Sequence, residues 1–285
     1  MFTVSARRLL TATLALGLGL AVAEPRRADA LTISLGFVTG PTVDLFGVGT
    51  TTANYGAFGF TGMTTPQIES AILGTVFNDY LGYPTIGANA SSPLPFGKEL
   101  NVNFVMASSI TAPTNGDSEY YHIAIGNKTG AQSFLGQACY ACVRDGTGAG
   151  PNFGLLNGSI VGSVLVNNIA TLAGLAASDA QRINLLAGTV AHEIGHIFGL
   201  DHPNGALANP GDSAFSLMAT GAAPTSMPNA QRVLDRDFAY SEFDQLIDAI
   251  GLRDSVPVPE PGSIAILALG SVLVALRVRR RARIG

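Results

Sequence analysis

Three of the chain's four histidines fall between positions 192 and 202, in the run His-Glu-Ile-Gly-His-Ile-Phe-Gly-Leu-Asp-His. His192 and His196 are one helical turn apart. At about 100° per residue, four steps return a helix to within about 40° of its start, so both rings leave one face. That spacing lets two imidazole nitrogens reach one zinc ion at about 2.0–2.1 Å. Glu193 stands about 60° from His196 around the axis, close enough to touch a water on the metal without being a ligand. His202 is different. On a continuing helix it would lie about 240° from His196, on the far face. The helix must therefore stop and the chain turn back. Gly199 can do this, because glycine reaches φ > 0 without a Cβ clash. Three neutral histidines leave a fourth position open, as catalytic zinc requires. The chemistry expected is metal-assisted hydrolysis: zinc would polarise a carbonyl and acidify its bound water, and Glu193 would take the proton as general base.

This run resembles the signature of the metzincin zinc proteases, H-E-x-x-H-x-x-G-x-x-H followed by a Met-turn. Gly195 and the Gly199-Leu200-Asp201-His202 stretch are particularly similar to matrixins and serralysins. The resemblance implies an exported zinc metalloendopeptidase with His192, His196 and His202 as ligands and Glu193 as catalytic base. It also implies a Met-turn methionine forming an apolar floor under the metal, with Met218 in Phe-Ser-Leu-Met the candidate and Met227 the fallback. Some subfamilies carry a tyrosine two residues after that methionine; here the position is Thr220. An extended protein or peptide substrate would pair with a sheet edge. The competing reading is a non-proteolytic cell-surface or extracellular-matrix protein retaining a structural zinc site, and the intact Glu193 argues against it, since a structural site would close the fourth position.

Elements must position these groups. Leu31–Phe37 alternates as a strand, and Thr65 opens a helix through about Leu81. Leu100–Met106 and Tyr120–Gly126 read as strands, Gly136–Val143 as a short edge strand, and Ile160–Ile169 as a buried strand. The long helix runs from Asp179 to about Phe198, with Ser178 and Gln181 at capping-box spacing and Gly199 ending it. A last helix is expected near Ser241, with Asp244 as reciprocal cap. The order predicts an α+β domain over residues 31–255: a mixed sheet carrying an active-site helix, above a small irregular C-terminal lobe closed by one helix. His122 reads as a structural strand residue. Asp201 is either an orienting partner for a ligand ring or a surface charge. Asp145, Asn152 and Asp212 sit in glycine-rich loops where Ca²⁺ is a secondary expectation beside simple solvation. Cys139 and Cys142 are expected to pair as a local disulfide, with free thiols the alternative.

The ends read as addresses. Residues 1–30 have the charged, apolar and A-x-A order of a signal peptide. Residues 256–285 run from a Pro-rich linker through a charge-free apolar stretch to an arginine cluster. This order resembles the PEP-CTERM sorting signal, with Pro259-Glu260-Pro261 as its motif. The resemblance implies an exosortase-type processing enzyme as partner. The chain would be held in the inner membrane by the C-terminal helix, facing the periplasm, until processing releases it to the cell surface or beyond. Nine of the 16 basic side chains lie in these ends: Arg7, Arg8, Arg26, Arg27, Arg277, Arg279, Arg280, Arg281 and Arg283. The body left between them is strongly acidic, which excludes a nucleic-acid partner.

Overall fold

The computed structural model describes residues 30–82, 97–107, 119–142, 156–207, 212–223 and 225–255. The expected signal peptide (apart from Ala30), the sorting tail, Asp145 and Asn152 lie outside the described residues. The body is an α+β arrangement of one mixed sheet and several helices. In chain order the strands are β1 (Leu31–Phe37), β2 (Thr42–Val43), β3 (Gly49–Thr51), β4 (Lys98–Leu100), β5 (Val102–Ala107), β6 (Tyr120–Lys128), β7 (Gly136–Ala138), β8 (Ile160–Leu165) and β9 (Leu252–Asp254). The main helices are α1 (Thr65–Phe77), α2 (Asp179–Ile197) and α3 (Tyr240–Ile250).

Strands β5, β1, β6 and β8 lie side by side and parallel. Strand β7 adds antiparallel to β8 and forms the edge. Parallel neighbours need long crossovers, and α1 supplies the one between β1 and β5. Ile33, Leu35, Tyr121, Ile123, Ile125, Val161 and Val164 join the apolar core beneath α1 and α2. Thr32, Ser34, His122 and Ser163 are also buried, on the alternate positions that face the other way. Asp44 covers part of that second face, accepting a hydrogen bond from Ser163 Oγ at 2.8 Å. His122 is 1% exposed and stands in register with Ser34, away from the other three histidines. A second ladder, β4 with β9, ties the chain's late segment to the sheet, reinforced by Arg253 Nε donating to Glu99 at 2.7 Å.

Several boundaries differ from the sequence expectation: the edge strand β7 ends at Ala138 rather than Val143, and β6 runs on to Lys128. Helix α1 stops at Phe77 and passes into a wider turn over Asn78–Gly82. The 100–106 strand is two strands, broken at Asn101, whose N–H donates to the Gly251 carbonyl. The 160–169 run is strand only to Leu165 and then helical, because Asn168 Nδ2 donates to the carbonyls of Phe134 (2.6 Å) and Gln132 (3.1 Å) and turns the chain. Apolar periodicity alone does not separate these two states. Helix α3 begins one residue early, with Glu242 rather than Asp244 accepting from the N-cap N–H of Ala239 at 2.8 Å. The Gly- and Thr-rich segment between β1 and α1 holds the short β2–β3 pair.

Tyr80 fixes the site helix to this frame. It is fully buried, its hydroxyl donates to the Ala191 carbonyl at 2.8 Å, and its ring packs against Phe104, Phe198 and Phe238 at 4.8–5.7 Å. Tyr80→Phe should cost about 1 kcal/mol and Tyr80→Ala about 3–5 kcal/mol in denaturant unfolding. Equal losses for the two variants would show that the ring contributes nothing beyond the hydroxyl.

Candidate metal centre

Helix α2 begins where its caps dictate. Ser178 Oγ accepts from the Gln181 N–H at 3.3 Å, and Gln181 Oε1 accepts from the Ala177 N–H at 2.7 Å, one residue before the usual reciprocal partner. Asp179 in the first turn suits the helix dipole and accepts from the Thr61 N–H and from Arg182. The other end closes on Gly199, whose φ is +89°. The Gly199 N–H donates to the His196 carbonyl and the Leu200 N–H to the Gly195 carbonyl, at 2.9 and 3.0 Å, the paired bonds of a Schellman stop. The chain then doubles back to His202.

The reversal brings the three rings together. The Nε2 atoms of His192, His196 and His202 stand 3.0–3.2 Å apart pairwise. His192 Nδ1 lies 2.8 Å from the Leu217 carbonyl and His196 Nδ1 lies 2.7 Å from the Leu200 carbonyl. A carbonyl only accepts, so Nδ1 carries the proton in both rings and each Nε2 presents a lone pair. These lone pairs meet at one point and would repel one another there. A cation resolves the conflict: zinc bonds of about 2.0–2.1 Å at tetrahedral angles separate nitrogens by about 3.3–3.4 Å, close to the spacing seen. The residues therefore fit a transition-metal ion, and among the described residues this is the one cluster of His, Cys, Asp or Glu that does.

The surrounding side chains are set by close packing. Met218 is fully buried under the helix, and a Cβ on Gly195 would stand 2.4 Å from its Sδ. Gly195 is thus the gap that admits the methionine. Leu217, the preceding residue, receives His192 through its carbonyl and also accepts from Arg236 Nη1 at 3.3 Å. Ser216 Oγ donates to Glu242 at 2.8 Å, fixing the turn to the start of α3. Met227, the fallback, is also buried but lies beside Arg236 Nη1 at 4.0 Å, with no recorded place under the ligand helix. Glu193 is 5% exposed; burial pushes its carboxyl up to about 8, against the pull of the Arg232 charge. It lies directly on edge strand β7, where a Cβ on Gly136 would come within 2.6 Å of its Oε1. Sequence reading did not single out Gly136, because its role depends on a contact between β7 and α2.

Cys139 and Cys142 are joined as a disulfide with Cα atoms 5.8 Å apart. The loop they close reaches the helix end: the Ala141 N–H donates to the His196 carbonyl at 2.9 Å, and Tyr140 Oη donates to Asp201 at 3.2 Å. Asp201 therefore meets Tyr140, and no bond from it to a ligand ring is recorded. Asp212 is exposed and belongs to no cluster suited to a metal among the described residues. A cleft of about 620 Å³ opens over the three histidines and Glu193, bounded by β7, Thr220 and Arg232.

Residues 257–281 match the PEP-CTERM protein-sorting motif. The chain thus carries a C-terminal sorting signal of the kind recognised by exosortase-type processing enzymes, which marks an exported protein. Among the described residues no helix is long and apolar enough to cross a membrane. No curated protein matches the chain. A solved structure described as "GM1 bound form of the ECX AB5 holotoxin" aligns at 14% identity over 78% of this chain and 81% of its own, with a TM-score of 0.32, a likeness too slight to carry any argument.

Burial holds His192 well below the ordinary histidine value of 6.5, with the neighbouring His196 charge adding to the effect, and burial also lowers His196 and His202. Lowered values keep the rings neutral, and so able to bind metal, at pH values where a free histidine is already protonated. Zn²⁺ affinity should therefore be level from pH 8 down to 6.5 and weaken only below it, read by chelator competition. Half-release of zinc above pH 6.5 would contradict the geometry.

Proposed function

We propose that this protein is an exported zinc-dependent endopeptidase of the metzincin kind. The observation that carries the reading is the convergence of three Nε2 atoms beside a buried carboxyl at the floor of an open cleft. His192, His196 and His202 would hold the ion. Zinc bound there supplies Lewis acidity to the scissile carbonyl and acidity to a water in the fourth position. The remaining work belongs to the chain. Glu193, whose buried carboxyl the positive charge of a bound ion would hold ionised, would accept the water's proton and return it to the leaving amine. Its buried setting against Gly136 keeps the carboxylate from swinging away. The outer edge of β7, which among the described residues pairs with β8 alone, offers N–H and C=O groups to an extended substrate. The Leu217 carbonyl fixes the His192 ring, and Met218 packs against Gly195 of the same helix. A site built for structure alone has no use for a carboxylate next to an open fourth position.

Export fits the same reading. The disulfide implies an oxidising compartment, and the sorting signal places the chain on an export route. We take anchoring of the tail in the inner membrane before processing as part of the proposal, with the body facing the periplasm.

Glu193→Gln should keep its zinc, by elemental analysis, and lose peptide cleavage by about 10²–10⁴-fold. Undiminished cleavage would remove Glu193 from the mechanism. Gly136→Ala, which forces the carboxylate aside, should lower kcat by at least about tenfold with zinc content unchanged. An unaltered kcat would mean that the strand does not hold the base.

A further inference from the structure

The cleft contains one cation that the fold does not use. Among the basic residues of the body, Lys98, Arg182 and Arg253 are each ion-paired, at 2.6–2.9 Å. Lys128 Nζ donates to the Gln132 carbonyl. Arg236 is 3% exposed, donates to the Leu217 carbonyl, and lies in the field of Asp79 and Glu242. Arg232 lies in the field of Glu193 but makes no such direct contact. It sits on the helical turn Asn229–Val233, half-buried, and among the described residues its one recorded hydrogen bond is a long one, from Nε to Asn229 Oδ1 at 3.4 Å. No described carboxylate comes within the 4.0 Å of an ion pair.

Its placement is specific. Arg232 lines the same cleft as Glu193 and His202, and both feel its charge. The guanidinium passes over Gly221, where a Cβ would lie 3.2 Å from Nη2, so a glycine leaves it room. Phe134, Leu135 and Leu172 supply apolar wall to the cleft. A partly desolvated guanidinium with no described carboxylate in contact lacks its best partner, and a carboxylate entering the cleft satisfies it with a fork of two parallel bonds. A neutral side chain in the same place leaves it unsatisfied, which is how a polar subsite rejects the wrong substrate.

We propose that Arg232 makes this cleft a subsite for an acidic side chain, so that the enzyme cuts peptide bonds beside aspartate or glutamate. The inference rests on the protease reading for the cleavage but not for the binding. A second role for the same charge, stabilising the oxygen of the scissile carbonyl, would act on every substrate alike, and the test separates the two.

The test uses the zinc-loaded full chain and paired peptide libraries that differ only in Asp or Glu against Asn or Gln around the cut bond. Wild type should favour the acidic members by at least about tenfold in kcat/KM. Arg232→Gln should abolish that ratio, and Arg232→Glu should turn the preference toward Lys and Arg. Equal cleavage of acid and amide peptides by wild type, or a uniform fall across both in Arg232→Gln, overturns the proposal. Calorimetric binding of the same peptides to zinc-loaded Glu193→Gln, with and without Arg232→Gln, reads the subsite without turnover. Acid-selective binding that depends on Arg232 upholds the subsite even if wild type cleaves nothing, in which case the protease reading alone fails. Binding indifferent to acidity overturns the subsite and leaves that reading intact.

Discussion

Three imidazole Nε2 atoms within 3.2 Å of one another need a proton or a cation among them, and the chain takes several steps to bring them together. The two rings from α2 come at no conformational cost, since a helix aligns residues four apart. The third requires a reversal within three residues of the helix end. Gly199 at φ +89° makes that reversal, and the two backbone bonds of the stop satisfy carbonyls of His196 and Gly195 that the broken helix would leave open. The same turn presents the Leu200 carbonyl to His196 Nδ1. One left-handed residue therefore ends the helix, swings His202 into place and sets the tautomer of His196.

The second support comes from a segment far along the chain. The Ser216–Met218 turn places a carbonyl under His192 and a thioether under Gly195, so one face of α2 is specified at two positions. That turn is held in turn by Glu242, which accepts from Ser216 Oγ and from the Ala239 N–H. Burial raises the Glu242 carboxyl above its ordinary value, and these two hydrogen bonds work in the opposite direction. The short helix α3 thus reaches the metal centre through one buried carboxylate, although none of its residues touches a ligand ring.

Much of this was legible in the sequence because it depends on local spacing. The histidine positions, the glycine between them, the N-cap at Ser178 and the strand at Leu31–Phe37 all follow from periods of 3.6 or 2 and from φ preferences. What failed was settled by tertiary contact. The strand expected to continue to Ile169 ends at Leu165, since Asn168 finds carbonyls on another segment. The cap of α3 went to Glu242 and not Asp244, since Glu242 also has Ser216 to bond. Gly136, Gly195 as a methionine gap, and Arg232 became visible only when distant elements were brought together. A glycine is silent in sequence when its function is to let another residue's side chain come close.

The disulfide loop links the compartment to the chemistry. Cys139–Cys142 closes directly after β7, the strand on which Glu193 rests, and Ala141 inside the loop bonds the carbonyl of His196. Glu193 and His196 thus lean on the two ends of one short segment. A free four-residue loop there would have to be ordered by those contacts alone, at about 1–2 kcal/mol of backbone entropy per residue. The covalent bridge limits that freedom before the contacts form. Such a bridge persists only in an oxidising environment, which is where a chain carrying a C-terminal sorting signal is sent. In a reducing compartment the same sequence would keep its histidine spacing but lose the bridge that limits the loop between base and ligand. The export signal and the organisation of the site therefore depend on each other physically, through one four-residue loop.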